Sequence, residues 1–392
     1  MITVAEAKAL IAKNISTLTA IKLPIQKAHR HILAEDIFAT ANIPAIRQSS
    51  MDGYALRFED KDLSLLIHGE MVAGSSSALS IAEGETARIF TGAPLPEGAD
   101  TVVMQEKISL NDGRITILDD RLQLGLNVRG IGSEIKTNAL AMHKGSFLSP
   151  AAIGFLAGIG TTEVSVYPMP SVSIIVTGKE LCSPGEVLGF GQVYESNSYS
   201  LKAALEQAGI YEVEVISADD DLEILTGILE HVLKNSDVVL LTGGVSVGDY
   251  DFVLEASRLC RVDQIFHKVK QKPGKPLFFG MQSSKPVFGL PGNPSSVLSC
   301  FYNYVLPAIY QMARKDNPVK EINAKLSDAY HKSAGLTHFL KGTCKDGFAT
   351  PLSAQESFRL SSFAYANCLI CLDENTERFE KDEIVTILLI PE

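Results

Sequence analysis

DVVLLTGGVSVGDYD, residues 237–251, decides the fold class. Four apolar residues, Val238–Leu241, precede Thr242-Gly243-Gly244, and a short apolar run that ends in glycines predicts a strand buried on both faces of a parallel sheet. Glycine has no Cβ, so the backbone can turn tightly there and approach a ligand. Ligands of open α/β sheets lie at the carboxyl ends of the strands. We therefore predict a site after this strand, where three polar residues follow: Ser246, Asp249 and Asp251.

The neighbouring sequence repeats this pattern. SVSIIVTG (171–178) and YEVEVIS (211–217) predict two more strands, and helices are predicted after about 198 and about 222. PVFGLPGNPSS leads into a further helix, predicted to be amphipathic and to end near Ala313. Such a βαβ series predicts a doubly wound, mostly parallel sheet.

The remaining sequence predicts a multidomain α/β plus β protein. A chain of 392 residues is too long for one ordinary core. Short runs bounded by Gly, Pro, Asn or Asp predict strands from about 63 to 128 and again after 317. The predicted parts are an N-terminal and linking domain (1–44 and 135–169), a β-rich second domain (45–134), the α/β domain (170–316) and a β-barrel-like domain (317–392).

Charge, hydropathy and cysteine content indicate which binding partners and which cellular compartment to expect. A net charge of −11 argues against a general nucleic-acid binder. The most apolar stretch, 151–160, is too short to cross a membrane. Six scattered cysteines without a secretory signal predict free thiols and a cytoplasmic protein. Cys368 and Cys371 form a CxxC pair, but in a strand they point to opposite faces, so we expect core packing instead of zinc or redox chemistry.

Lysines and a glycine-proline loop indicate an anion site. Lys268, Lys270 and Lys272 have a period of two, so in a strand they project from one face, with Lys275 close by. The alternative is a solvated edge strand that lysine protects from aggregation. In GLPGNPSS, Asn293 can cap a helix whose first residue is Pro294, and free N–H groups there attract phosphate. Alone, this loop is also consistent with an ordinary helix start.

Acidic residues complete the predicted site. Carboxylates beside lysines and phosphate-binding amides are typical of Mg²⁺ sites. The prediction is thus a Mg²⁺-dependent enzyme acting on a phosphate-bearing ligand, although the crowding of Asp219, Asp220 and Asp221 is also explained by helix capping. A Walker A motif and a GxGxxG are absent from the sequence, which argues against an ordinary ATPase or dehydrogenase. The acidic set is Glu180, Asp220, Asp249 and Asp251.

Six motifs together resemble the MoeA family of molybdopterin molybdenumtransferases, which includes the E domain of gephyrin. They occur in the family's order and span residues 50 to about 370. The motifs are SMDGYA (50–55), TGAPLPEGADTVVMQE (91–106), TGKEL (177–181), TGGVSVGDYD (242–251), KPGKP (272–276) and GLPGNPSS (289–296).

The resemblance implies insertion of molybdate into adenylylated molybdopterin, with release of AMP and assistance by Mg²⁺. It also implies a homodimer, in which the partner's second domain supplies Asp52 and Thr91 to the α/β domain's cleft. The upstream partner would be a molybdopterin adenylyltransferase. The implied catalytic residues are Asp52, Thr91, Glu180, Asp220 and Asp251, of which Glu180, Asp220 and Asp251 would hold the metal. The implied substrate-binding residues are Gly243, Gly244, Ser246, Lys268, Lys272, Lys275, Pro291, Asn293 and Pro294.

Two positions depart from the family pattern. Glu134 stands where Asp is common, and Lys341 stands where Arg is common. Glu reaches one methylene further, and Lys lacks the planar fork of Arg. We expect both to contact substrate, with Ser357 beside them. The alternatives are an adenylyltransferase, which would not need SMDGYA or TGAPLPEGAD, and a gephyrin-like scaffold, which would need no lysine or acidic cleft.

Overall fold

A computed structural model describes residues 1–75, 78–245 and 252–391. The chain divides into two compact units, one formed by Met1–Ile21 with Val166–Glu392 and the other by Lys22–Ser165. Ser246, Asp249 and Asp251 lie outside the described residues. The partition into four domains stays a prediction, and residues 1–21 group with the α/β strands instead of with the N-terminal domain.

A six-stranded sheet forms the centre of the first unit. Its strands lie in the order Val213–Ala218, Val172–Thr177, Val238–Thr242, Lys285–Leu290, Phe278–Gln282 and Asp263–His267. The first four strands are parallel, and Phe278–Gln282 runs antiparallel to both of its neighbours, Lys285–Leu290 and Asp263–His267. The predicted mostly parallel sheet is therefore confirmed.

Helices cover both faces of this sheet, because alternate residues of its strands belong to two different cores. Val238 and Leu240 pack in one core, while Val239 and Leu241 pack in the other. The first face carries Val4–Asn14, Asn197–Gln207, Pro294–Cys300 and Leu306–Met312. The second face carries Leu222–Asn235 and Phe252–Leu259.

Two local predictions in this unit are wrong. The helix after Asn293 is not amphipathic, since it is buried almost throughout and contains a π-helical turn at Phe301–Val305. The lysine row does not lie on one strand, because the strand ends at His267 and Lys268 has a left-handed φ of 73°. A period of two places side chains on one face only while the backbone stays extended.

The C-terminal segment forms a closed barrel. Five strands join in a ring, with the last paired to the first: Thr337–Lys345, Phe348–Pro351, Lys320–Leu326, Ile384–Leu389 and Cys368–Leu372. Gln271–Lys272 adds a short parallel strand at one edge. Cys368 lies in the barrel core and Cys371 packs against the neighbouring core, as predicted, and all six cysteines are free. Two further strand pairs are Tyr330–His331 with Arg378–Phe379 and Leu181–Cys182 with Val193–Tyr194.

The second unit is β-rich, as predicted. Its main sheet has the order Thr101–Met104, Gly53–Leu56, Glu85–Ile89, Leu65–Met71, Arg114–Ile117 and Ile108–Asn111. One helix, Pro150–Gly158, begins after Ser149, which caps it by accepting from the amide of Ala152. Smaller sheets are formed by Ile21–Pro24, Glu163–Tyr167 and Ile32–Leu33, by Ile37–Phe38 and Leu140–Met142, and by Gln48–Ser49 and Val128–Arg129.

Among the described residues, the helices are all too short or too polar to span a lipid bilayer.

Candidate active site

A cleft opens where four parallel strands end. Val172–Thr177 leads to Glu180, Val213–Ala218 leads to Asp220, Val238–Thr242 leads to the glycines and Lys285–Leu290 leads to Pro291. The cleft has a volume of about 300 Å³. Its lining is Thr177, Gly178, Glu180, Asp220, Gly243, Gly244, Val245, Pro276, Pro291 and Gly292. The predicted position of the site, at the carboxyl edge of the sheet, agrees with this cleft.

Gly243 is required by the close approach of two strands. It has a φ of 87°, and a Cβ at this position would lie 2.7 Å from the carbonyl oxygen of Thr177. Both the backbone conformation and the space exclude a side chain. The floor of the cleft is therefore backbone.

Two carboxylates face this floor. Asp220 Oδ2 accepts a hydrogen bond from the amide of Lys179 at 3.1 Å, which orients the side chain toward the loop that carries Glu180. Asp221, by contrast, caps the next helix, since its Oδ1 accepts from the amides of Glu223 and Ile224 at 2.9 and 3.0 Å. The capping explanation thus holds for Asp221, while Asp220 stays available in the cleft.

Two of the three predicted magnesium ligands, Glu180 and Asp220, line the same cleft. Glu180 and Asp220 line one cleft, and Mg²⁺ needs only one or two carboxylates because it keeps water and binds substrate phosphate. Within residues 1–75, 78–245 and 252–391, no group of three or more His, Cys, Asp or Glu side chains could hold a metal. The third predicted ligand, Asp251, lies outside the described residues.

A larger cleft of about 1,040 Å³ adjoins the first and shares Glu180, Pro276, Pro291 and Gly292 with it. Lys272 and Lys275, both exposed, line this second cleft. Seven predicted residues therefore meet there: Glu180, Lys272, Lys275, Pro291, Asn293, Pro294 and Ser357. Ammonium groups beside a polar loop are suited to an anionic ligand.

The loop before Pro294 does not work as predicted. Pro294 is in the first turn of its helix, as expected, but Asn293 makes no side-chain cap. Its Nδ2 instead donates to Ser357 Oγ at 3.0 Å, and the amide of Ser295 donates to the Ser357 carbonyl at 3.1 Å. The amide of Ser296 donates to the carbonyl of Asn293. The prediction of free phosphate-binding amides is therefore wrong at these positions, because Ser357 and the loop itself already occupy them.

Lys341 is buried, and its ammonium group faces backbone carbonyls. The residue is 2 % exposed, and its Nζ donates to three backbone carbonyls, those of Ala354 (2.7 Å), Arg359 (2.8 Å) and Glu356 (3.3 Å). These bonds use all three ammonium hydrogens. The predicted substrate contact is wrong: Lys341 holds the loop that carries Ser357 into the cleft. Burial lowers the pKa of this ammonium, while Glu356 opposes the shift.

Asp52 and Thr91 meet in the second unit. Asp52 Oδ1 accepts from both the amide and the hydroxyl of Thr91, each at 2.8 Å. The amide bond is the main cause, and the hydroxyl bond the second, of a lowered pKa for the Asp52 carboxyl. The next residue, Gly53, has to be a glycine, because a Cβ there would lie 1.9 Å from the carbonyl oxygen of Val103. The hydrogen bonds between Asp52 and Thr91 were not predicted, and the contribution of the two residues to a partner's cleft stays a prediction.

Two substrate-binding predictions find no support in the clefts. Lys268 lines neither cleft, and its amide and carbonyl bond to Leu277 and Ile2. Glu134 is exposed in the second unit, where its amide donates to the carbonyl of Ile43 at 2.9 Å. Both roles stay predictions.

Sequence reasoning missed polar and aromatic residues of the larger cleft, among them Asn197, Phe358 and Tyr194. Asn197 is 7 % exposed, and its Nδ2 donates to the carbonyl of Gly292 at 2.8 Å. Phe358 and Tyr194 present exposed rings. The only sequence signal for Asn197 is its place at a predicted helix start.

The fold and site define a multidomain protein with a molybdopterin-binding-type α/β domain. Three family models match: "MoeA N-terminal region (domain I and II)" at residues 2–160, "Probable molybdopterin binding domain" at 173–311 and "MoeA C-terminal region (domain IV)" at 323–390. The molybdopterin molybdenumtransferase of Staphylococcus aureus (strain Mu50) is 33% identical over 401 residues, covering 99% of this chain and 95% of that protein. A Staphylococcus epidermidis relative of the same name is 33% identical over 400 residues with the same coverage.

A solved structure supports the same family assignment. The molybdopterin biosynthesis MoeA protein of Pyrococcus horikosii has a TM-score of 0.84 at 28% identity and covers 100% of both chains. The chain belongs to the MoeA family.

Proposed function

We propose that this protein inserts molybdate into adenylylated molybdopterin and releases AMP, with Mg²⁺ bound by Glu180, Asp220 and Asp251. The observation that carries the proposal is the pair of adjoining clefts, which share Glu180: Asp220 lines the smaller cleft, and Lys272 and Lys275 line the larger one. The substrate has a dianionic pyrophosphate link, and molybdate is itself a dianion. Separate acidic and basic regions match a metal-bound phosphate and a free oxyanion.

The residues have distinct roles in this proposal. Lys272 and Lys275 lower the cost of bringing anions together, since each ammonium offsets one negative charge. Glu180 and Asp220 hold the metal, which supplies Lewis-acid stabilisation of charge on the departing phosphate when bound. Asn293 Nδ2 donates to Ser357 Oγ, and these two residues shape the wall beside the lysines.

Asp52 and Thr91 serve the reaction from a second copy of the chain. The two hydrogen bonds from Thr91 orient the Asp52 carboxylate and lower its pKa, and the ionised group can accept hydrogen bonds or bind a cation near neutral pH. The homodimer, an adenylyltransferase as upstream partner and a cytoplasmic location belong to the same proposal.

Product analysis tests this function. Purified protein is incubated with adenylylated molybdopterin and Mg²⁺, with or without molybdate, and AMP is quantified by liquid chromatography. The proposal predicts molybdate-dependent AMP in a one-to-one ratio with molybdenum cofactor. A parallel reaction contains molybdopterin, ATP and Mg²⁺. Formation of adenylylated molybdopterin there, without AMP release in the first reaction, would identify an adenylyltransferase and contradict the proposal.

A further inference from the structure

A buried glutamine lies directly beneath the loop that carries the cleft lysines. Gln271 is 1 % exposed and precedes Lys272. Its Nε2 donates to the carbonyl of Gly274 at 3.0 Å, and its Oε1 accepts from the hydroxyl of Tyr304. The Gly274 carbonyl can only accept, so the amide nitrogen must face it and the amide oxygen must face Tyr304.

Tyr304 is fixed from the other side. It lies within the buried π-helical turn Phe301–Val305, at 1 % exposure. Burial raises the pKa of its phenol well above the usual range, so the hydroxyl remains a donor at any physiological pH. Cys300, one residue before that turn, lies 3.4 Å from Gln271 Nε2 through its Sγ. The side chain of Gln271 is therefore held at both ends.

The backbone at Gly274 is packed against the side chains of Cys300 and Gln271. Gly274 has a φ of 86°, and a Cβ there would lie 2.5 Å from Cys300 Sγ and 2.8 Å from Gln271 Nε2. The Gly274 carbonyl points inward to this pair. The carbonyl and the following N–H of one planar peptide point in opposite directions, so the Lys275 amide points away from Gln271. Among the described residues, that amide has no hydrogen-bond acceptor.

We propose that the Lys275 backbone amide is an anion donor of the larger cleft, and that Gln271 and Tyr304 are positioning residues that keep it turned outward. A reversed peptide would present the Gly274 carbonyl oxygen to the anion beside Lys272 and Lys275, and oxygen would repel it. The inference rests on the proposed function for the identity of the anion, but the donor geometry is independent of turnover.

Protein labelled with ¹⁵N-lysine tests the amide directly. The Lys275 resonance is identified by its loss in Lys275→Arg and followed by transverse-relaxation-optimised NMR during titration with sodium molybdate, while calorimetry gives the affinity. We expect the Lys275 amide resonance to move with saturation. Tyr304→Phe and Gln271→Met should each weaken molybdate binding by about three- to tenfold and reduce that movement.

Tyr302→Phe is the matched control, because it removes a hydroxyl from the same buried turn but not from Gln271. A stationary Lys275 resonance would overturn the inference, whether calorimetry shows molybdate bound or not. If Tyr304→Phe and Tyr302→Phe have the same molybdate affinity and the same movement of the Lys275 resonance, the positioning role of Gln271 is overturned. AMP release is measured on the same preparations: absence of turnover with the amide response intact would contradict only the proposed function.

Discussion

The Asp52 carboxylate accepts two hydrogen bonds from one residue, the amide and the hydroxyl of Thr91, through the same oxygen Oδ1. Within the described part of the chain, the second oxygen, Oδ2, accepts no hydrogen bond and is left for another partner. The two residues are 39 positions apart in the chain, and both lie in loops that frame the β-rich sheet. An ionised carboxylate held in this way is oriented in advance for a hydrogen-bond donor or a cation.

Thr91→Val should raise the Asp52 pKa toward its usual value without restoring it fully. The hydroxyl bond is lost, but the amide bond, which is the larger cause of the shift, remains. Carboxyl-carbon NMR titration measures the change, and Thr91→Ser serves as the control that keeps the hydroxyl. An unchanged pKa in Thr91→Val would show that the hydroxyl contributes nothing.

Lys272→Ala should weaken molybdate binding by roughly tenfold or more and make the remaining affinity less dependent on salt. Lys272 is an exposed point charge that lines the larger cleft. Calorimetry at two ionic strengths measures the effect. Lys270→Ala is the control, since Lys270 lies near Lys272 in sequence but lines neither cleft. If the lysines only prevent aggregation, both variants will bind normally and lose solubility.

Lys341→Met should destabilise the barrel by about 2–4 kcal/mol, because three carbonyls lose a charged donor in a buried position. Urea unfolding measures the change, and hydrogen exchange should rise first in the loop 354–359. Lys345→Met on the same strand is exposed and should be nearly neutral. Equal effects of the two substitutions would contradict the role assigned to Lys341.

The lowered pKa of His338 should make the free energy of unfolding depend on pH. Burial, together with Lys332 and Lys272, lowers the pKa of this imidazole from 6.5 to about 4. Between these values the unfolded chain binds a proton that the folded barrel does not, so the free energy of unfolding should fall as the pH drops. The contribution is complete above about 6.5 and lost by about 4.

Urea unfolding at several pH values measures this slope. His338→Gln should flatten it, and exposed His331→Gln should leave it unchanged. A slope that persists in His338→Gln would assign the effect to other groups.

The sequence predicted those features that depend on local pattern. Apolar runs such as Val238–Leu241 identified the buried strands, and their common edge identified the cleft. The prediction that the three lysines lie on one strand was wrong, because the spacing does not reveal the left-handed φ of Lys268. The Asn293 cap failed because its true partner, Ser357, is 64 positions away.

Long-range partners explain the remaining errors. Lys341 donates to carbonyls 13 and 18 positions away, which its local sequence does not indicate, and its expected ligand contact came from the resemblance. The hydrogen bonds between Asp52 and Thr91 were not predicted, because nothing in the local pattern of either loop indicates them. Nothing in the sequence indicates the proposed role of Gln271, because that role depends on a hydrogen bond from Tyr304, 33 positions away in a buried helix.

The central claim is that the acidic cleft of one copy and the Asp52–Thr91 pair of another catalyse one reaction. Asp52→Ala and Asp220→Asn homodimers should each be inactive. After subunit exchange in mild denaturant, about half the dimers would be mixed, each with one complete site, so AMP release should recover to roughly a quarter of wild type. No recovery, with heterodimers proven by native mass spectrometry, would contradict a site shared between subunits.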